Sequence, residues 1–354
     1  MRDLTDDVAL MRLAFDALRA SGADPDRVLA RLGMPAGVLP SGRYPHMAQV
    51  LFWKAASEEC GEEHVGLHLA QHLPAFHGLL LEYMFLSSET FGDGLRHALR
   101  YVRLLSDSLS AKLEVEGEMA TLTTCMSADV PRHFPEMLSG AVIRMFSALT
   151  EGDFKPREVH FMHAEGAPLA RYEQVYGCPV RFAQPHYALV FDAAVLAKAS
   201  RHAAPELLQM HESLARRQLA EVERLDLVRQ VRELIAELLV DNGATLEQVA
   251  ARLNMPARRL RERLAVAGVR FNDLITDYRC RLAKDLLLNS DERIDVIVER
   301  TGFSSRAPST APSSAGSAKP RWSSAAVGVV RVPTDDGMKK PAIRRAFFAV
   351  CRRP

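Results

Sequence analysis

Along the first twenty residues the apolar positions Leu10, Leu13, Ala14, Ala17 and Leu18 recur at three- and four-residue spacing, which predicts a helix over 4–20 closed by Gly22. Asp24 and Pro25 together start a second helix over 25–32, one as cap acceptor, the other with its ring-fixed φ. Tyr44-Pro45 breaks the following loop, and Val50, Phe52, Trp53, Ala56 and Cys60 predict a helix over 46–60. Leu95, Leu99, Val102 and Leu105 form one stripe in a helical stretch between 78 and 110, with Thr90 as a cap. The period then falls to two. Residues 110–116 and 119–127 are β-favouring around Glu116-Gly117-Glu118, the pattern of a hairpin. A helix over 133–150 carries Met137, Leu138, Val142, Ile143, Met145 and Phe146. Strands over 158–163 and 187–191 follow, separated by a helix over 169–176 that Gly177 stops. Such strand–helix–strand alternation predicts an α/β or α+β ligand-binding unit.

Residues 205–239 read as one long helix in which Leu207, Leu214, Leu225, Val228, Val231, Leu234 and Leu238 stand among many charges. A helix of this kind bridges two domains, or pairs with its copy in a second subunit. Beyond it, Thr245 and Gln248 make a capping box that starts a helix burying Leu246, Val249, Ala250 and Leu253. Asn254-Met255-Pro256 interrupts the pattern. From Ala257 a second helix keeps Leu260 and Leu264 inward and spreads Arg258, Arg259, Arg261, Glu262 and Arg263 over its outer faces until Gly268, with a helical continuation over 271–288. Two short helices around a tight turn, the second loaded with arginine, form the pattern of a DNA-reading helix-turn-helix.

Charge localises this signal. The 354 residues exceed one core and suggest two or more domains, and their 48% hydrophobic and 25% charged content is ordinary for a soluble chain. With 45 Lys+Arg against 44 Asp+Glu the net charge is +1, so any affinity for polyanions is local. Between 256 and 281 there are seven arginines against three acids, a net of +4. Such arginines contact guanine edges and neutralise phosphates, and Arg279 and Arg281 add backbone contacts from the continuation helix. The competing reading of the same residues is a solvated helix with internal ion pairs.

Other chemistry is sparse. The acidic start excludes a signal peptide, and no run of about 20 apolar residues offers a membrane span. Five isolated cysteines without CxxC spacing fit a reduced cytoplasmic protein. There is no nucleophile elbow, phosphate-cradling loop or metal-protease helix, so no catalytic residue, enzyme activity or cofactor is expected. The adjacent pairs Glu58/Glu59 and Glu62/Glu63 read as solvated surface. His64, His68 and His72 fall at i, i+4 and i+8, which raises a zinc or nickel sensor. Packing is the favoured reading there, since Gly66, Leu67, Leu69 and Leu73 explain the stretch without a metal. For Met137 and Met145, core is favoured over pocket lining.

The order VAARLNMPARRLRERLAVAG, FNDLITDYRCRLAKDLLLNSDERI and DVIVERTGFS resembles the DNA-binding domain of the AraC family of bacterial transcription regulators. That resemblance implies two helix-turn-helix units joined by the 271–288 helix, each placing one helix in successive major grooves. The second unit opens with 294–301 and the Gly302-Phe303-Ser304 signature. Pro256 stands where the family usually has a capping serine. The front half resembles the family's arabinose-binding type of N-terminal domain in Ser21-Gly22-Ala23-Asp24, Phe52-Trp53, Gly66-Leu67 and the run 172–191 ending in LVFD. The resemblance covers residues 5–304 and implies a cytoplasmic, nucleoid-associated regulator. Its partners would be double-stranded DNA, an unknown small-molecule effector, a second copy in a homodimer, and RNA polymerase, with no membrane.

The expected organisation is an α/β (or α+β) sensing domain over 1–204, a bridging and dimerising helix over 205–240, and an all-α helix-turn-helix DNA-binding domain over 241–304. A basic, disordered tail over 305–354 would follow. After Ser304 the pattern breaks: eight serines lie between 304 and 324, with prolines at 308, 312 and 320, and no helical stripe. With codons chosen among the synonyms for 304–325, reading from the third base of the Ser304 codon can give EPGAFHRAFKRWLGETPLEFR, the second recognition helix the family requires. A lost base near that codon is therefore expected, leaving the second unit incomplete and any specific DNA binding of this chain in question. The tail's ten Lys/Arg against Asp335 and Asp336 leave a designed basic arm as the alternative.

Overall fold

The computed structural model describes residues 4–35, 37, 42–127, 130–239, 244–290 and 292–301. The signature at 302–304, the second recognition helix and the tail over 305–354 lie outside the described residues. The described chain divides between Val222 and Glu223 into two compact units.

The first helix does not begin at residue 4. Thr5–Asp7 is a short strand, β1, and the Asp7 carboxylate accepts the Ala9 N–H to start α1, Val8–Ala20. The reason is tertiary: buried Asp6 accepts His46 Nδ1 (2.8 Å), Gln49 Nε2 (2.6 Å) and Ser106 Oγ (2.5 Å), so the backbone there is pinned extended. Its antiparallel partner β2, Arg43–Pro45, is the Tyr44-Pro45 segment expected as a loop. Between them α2, Pro25–Arg31, is capped by Asp24 as expected. Then come α3, Ala48–Cys60, ended by left-handed Gly61, and α4, Val65–Ala70. The stretch predicted as one helix from 78 to 110 splits into α5, Leu80–Ser87, and α6, Phe91–Arg100, with Thr90 capping the second.

The hairpin forms at β3, Ser110–Glu116, and β4, Met119–Cys125. After it run α7, His133–Leu149; β5, Pro156–His160; α8, Leu169–Tyr176; β6, Val180–Arg181; and β7, Tyr187–Asp192. The sheet order is β3-β4-β7-β5-β6, antiparallel except for the β5–β6 pair, so the unit is α+β. Alternation puts Ala120, Leu122, Leu189 and Phe191 on its buried face. There they meet an aromatic core in which Phe91 packs edge-on against Phe146 at 4.9 Å. A second core, around Phe15, Trp53 and Met137, joins α1–α4 to α7.

The long helix α9, Pro205–Leu239, matches the predicted span. Its Ala215, Leu219 and Val222 pack in the first unit, and its Leu227, Val228, Val231 and Ile235 in the second. Leu207, Leu214 and Leu225, expected in the same apolar stripe, are instead exposed, because a period of 3.6 over 35 residues carries them to the other face. The second unit continues with α10, Leu246–Arg252; α11, Ala257–Val266; α12, Phe271–Asn289; and α13, Ile294–Thr301. Among the described residues no helix is long and apolar enough to cross a membrane.

Candidate functional site

Local chemistry builds the helix pair α10–α11. Thr245 Oγ1 accepts the Gln248 N–H at 3.2 Å and Gln248 Oε1 accepts the Thr245 N–H at 2.9 Å, the reciprocal box expected. Asn254 adopts φ 53°, which lets the Met255 N–H reach Ala250 O at 3.0 Å and turns the chain sharply. Pro256 then enters α11 in extended conformation without a side-chain cap. At the far end Val269 N–H bonds Leu264 O and Gly268 N–H bonds Ala265 O, a closure that needs the left-handed glycine.

Leu260 and Leu264 are fully buried between α9, α10 and α12, which sets the rotation of α11. At about 100° per residue the line opposite Leu260 and Leu264 passes through Glu262, with Arg258 and Val266 about 40° and Arg259 and Ala265 about 60° to either side, and Arg261 about 100° round. Arg258, Arg259, Arg261 and Glu262 are exposed, and Arg263 is half-buried. The internal ion pair holds for one couple, Arg258 Nε to Glu262 Oε1 at 2.9 Å. Among the described residues no such partner is seen for Arg259 or Arg261. Val266 is 82% exposed, an aliphatic group able to meet a thymine methyl, and sequence reasoning passed over it as part of the helix end. Arg281 is exposed on α12, its Nε 3.4 Å from Asp277 O. Arg279 is half-buried, with Nε enclosed and unbonded among the described residues.

The histidine run does not form one helical face, since α4 has only six residues. His64 caps its start and holds Arg132 Nη2 at 2.9 Å, while His72 lies past its end with Nδ1 3.0 Å from His68 O. Burial pushes the His68 imidazole down. Among the described residues no group of three or more His, Cys, Asp or Glu is placed to hold a metal. The acidic pairs are less solvated than expected. Glu59, 9% exposed, sits between Arg27 and Arg31, and Glu62 accepts both Arg171 amino groups, which hold its carboxyl down at about 2.

Two buried features of the first unit have no local sequence signal. Glu136, wholly enclosed, accepts Tyr172 OH at 2.7 Å and Arg132 Nη1 at 3.1 Å, with His133 Nδ1 at 3.6 Å. Burial pushes its carboxyl up, but the contacts from His133 and Tyr172 and the Arg132 charge outweigh that and hold it low. The other is a cavity of about 130 Å³ reached by α1, α5, α6, α7 and the β3–β4 hairpin. Among the described residues only His77, Glu82 and Thr124 bring polar side chains to its wall, and Met145 stands in that wall while Met137 is core.

Comparison with known proteins bears on both units. Residues 22–199 match the family described as the arabinose-binding domain of AraC transcription regulator, N-terminal. The ornithine utilization regulator of Pseudomonas aeruginosa is 28% identical over 270 residues, 75% of this chain and 79% of that protein. The HTH-type transcriptional regulator VirS of Mycobacterium tuberculosis is 26% identical over 302 residues, 82% of this chain and 87% of that protein. The crystal structure of transcriptional regulator CdpR from Pseudomonas aeruginosa shares 18% identity over 80% of this chain and 89% of that one, with a TM-score of 0.43.

Proposed function

This chain belongs to the AraC family of transcription regulators, and from that premise we propose that α11 reads double-stranded DNA under control of a small molecule held in the first unit. The observation that carries the DNA reading is the rotation of α11: burying Leu260 and Leu264 leaves four charged side chains, three of them arginine, exposed on one short helix after a tight turn. Arg261 and Arg259 are the favoured groove and phosphate contacts, because neither is tied to a carboxylate among the described residues. Glu262 can accept from a cytosine amino group once Arg258 turns to a phosphate. Homodimerisation is supported by Leu207, Met210 and Leu214, which are 49%, 67% and 38% exposed along one line of α9. The named relatives are regulators rather than enzymes.

Selection of bound sequences from randomised DNA, followed by titration of the selected duplex, tests this. Arg261→Ala is expected to weaken specific binding by about 1–3 kcal/mol, roughly 5- to 150-fold, and to leave a shallower salt dependence if the contact is to phosphate. Unchanged affinity for the selected sequence in Arg261→Ala and Arg259→Ala alike would remove α11 as the reading element.

A further inference from the structure

The cavity in the first unit has a wall that discriminates between ligand chemistries. Leu10, Leu13, Leu95, Leu99, Val142 and Phe146 are typical of it. A sugar carries several hydroxyl groups, each needing a partner once desolvated, and this wall has few to offer. Glu82 is already engaged by three hydrogen bonds. Its Oε2 accepts the backbone N–H of His77 at 2.8 Å and of Leu79 at 3.0 Å, and its Oε1 faces His77 Nδ1 at 2.6 Å. Burial pushes the Glu82 carboxyl up, yet these three hydrogen bonds together hold it below the usual carboxylate range.

An ionised carboxylate only accepts, so the proton between the two side chains resides on His77 Nδ1. The other ring nitrogen, Nε2, is the remaining polar atom of the ring. The His77 side chain is 5% exposed, lines the cavity, and leaves Nε2 buried without a hydrogen-bond partner among the described residues. A ligand carboxylate at this atom would bury a second anion near Glu82 in an apolar wall. A neutral hydroxyl, able to donate or to accept, adds no charge.

We propose that the cavity binds a small uncharged amphiphile, an alcohol or phenol of about six to ten non-hydrogen atoms, judged from the benzene held by an apolar cavity of similar size. Its hydroxyl hydrogen-bonds His77 Nε2 and its hydrocarbon lies against the aliphatic wall. This names the effector class of the regulator reading above and rests on that reading for its role, though not for the site.

The test uses the full chain and calorimetric titration at neutral pH with 1-hexanol, phenol, toluene, hexanoate and arabinose. Hexanol and phenol should bind saturably, hexanoate at least tenfold more weakly, and arabinose not at all. His77→Phe should weaken hexanol about tenfold while toluene binding holds. Ala141→Leu, which fills the cavity from α7, should abolish binding of both without requiring any change at His77. The assignment is overturned if neither alcohol binds, if hexanoate or arabinose binds more tightly than hexanol, or if His77→Phe binds hexanol as the native chain does. Operator affinity measured in the same samples separates the two readings. Alcohol binding that leaves operator affinity unchanged removes effector control and keeps the site, whereas operator binding without alcohol binding removes the site alone.

Discussion

Glu136 shows how a single side chain couples distant parts of the first unit: from α7 it takes hydrogen bonds from Tyr172 on α8 and from Arg132, and its backbone oxygen accepts Tyr176 OH at 2.8 Å. Because its carboxyl is held below the ordinary value of about 4.3, folding favours the ionised form. The resulting stability is complete above that value and is lost as pH falls through the lower, folded one. Glu136→Gln should therefore destabilise the protein by about 3 kcal/mol at neutral pH, the scale for breaking a buried charge pair. The gap between the two melting curves should narrow as pH drops below about 4; a gap independent of pH would mean that the charge contributes nothing. Tyr172, pushed up to about 12 by burial and by Glu136, stays a donor throughout. Nothing in the spacing of these residues announces the network, since Arg132 and Tyr172 are 40 positions apart.

Among the elements, the crossing of α4 and α7 is the tightest constraint. A Cβ on Gly66 would lie 2.3 Å from His133 O, and one on Gly140 would lie 2.7 Å from Ala70 Cβ, so each helix contributes a glycine where the other presses in. Gly66→Ala should cost at least about 3 kcal/mol, the upper range for overpacking a core, read as a lowered urea midpoint with unchanged slope. An unshifted midpoint would mean that the helices separate freely. The elements most legible in the chain were those whose ends are local. Thr245, Gln248, Asn254 and Gly268 specify α10, the turn and α11 by hydrogen bonds within five residues, and the structure has them as expected. Those misread depended on remote partners: β1 and β2 are held extended by Asp6, buried against His46, Gln49 and Ser106, and by Arg43 and Asp107 bonded to Thr5.

Over the whole molecule, α9 runs through the division between the two units, and its exposed Leu207, Met210 and Leu214 lie on the first. If a second copy covers that line, Met210→Lys should shift the protein from dimer to monomer in sedimentation at micromolar concentration. A mass unchanged by the substitution would place any dimer seam elsewhere. The off-frame reading of the chain after Ser304 makes a separate expectation. Restoring the frame should raise affinity for a selected operator by at least tenfold, since a second recognition helix would engage a second groove. Equal affinity of the two versions, or a gene whose neighbouring frames lack that helix, would remove the proposal.

By itself the amino-acid sequence determined the α10–α11 helix pair of this protein. Capping boxes, glycine stops and a 3.6-residue period act over a few positions, so the outward placement of Arg258, Arg259, Arg261 and Glu262 follows from Leu260 and Leu264 alone. It also placed the hairpin, α8 and the span of α9. Tertiary structure alone decided the rest: that Arg279 is half-buried, that α4 stops short of His72, and that a cavity opens beside His77. Its wall is drawn from residues between Leu10 and Phe146, and contacts across such separations are chosen by the packing of whole elements, for which no short stretch of chain carries a signal.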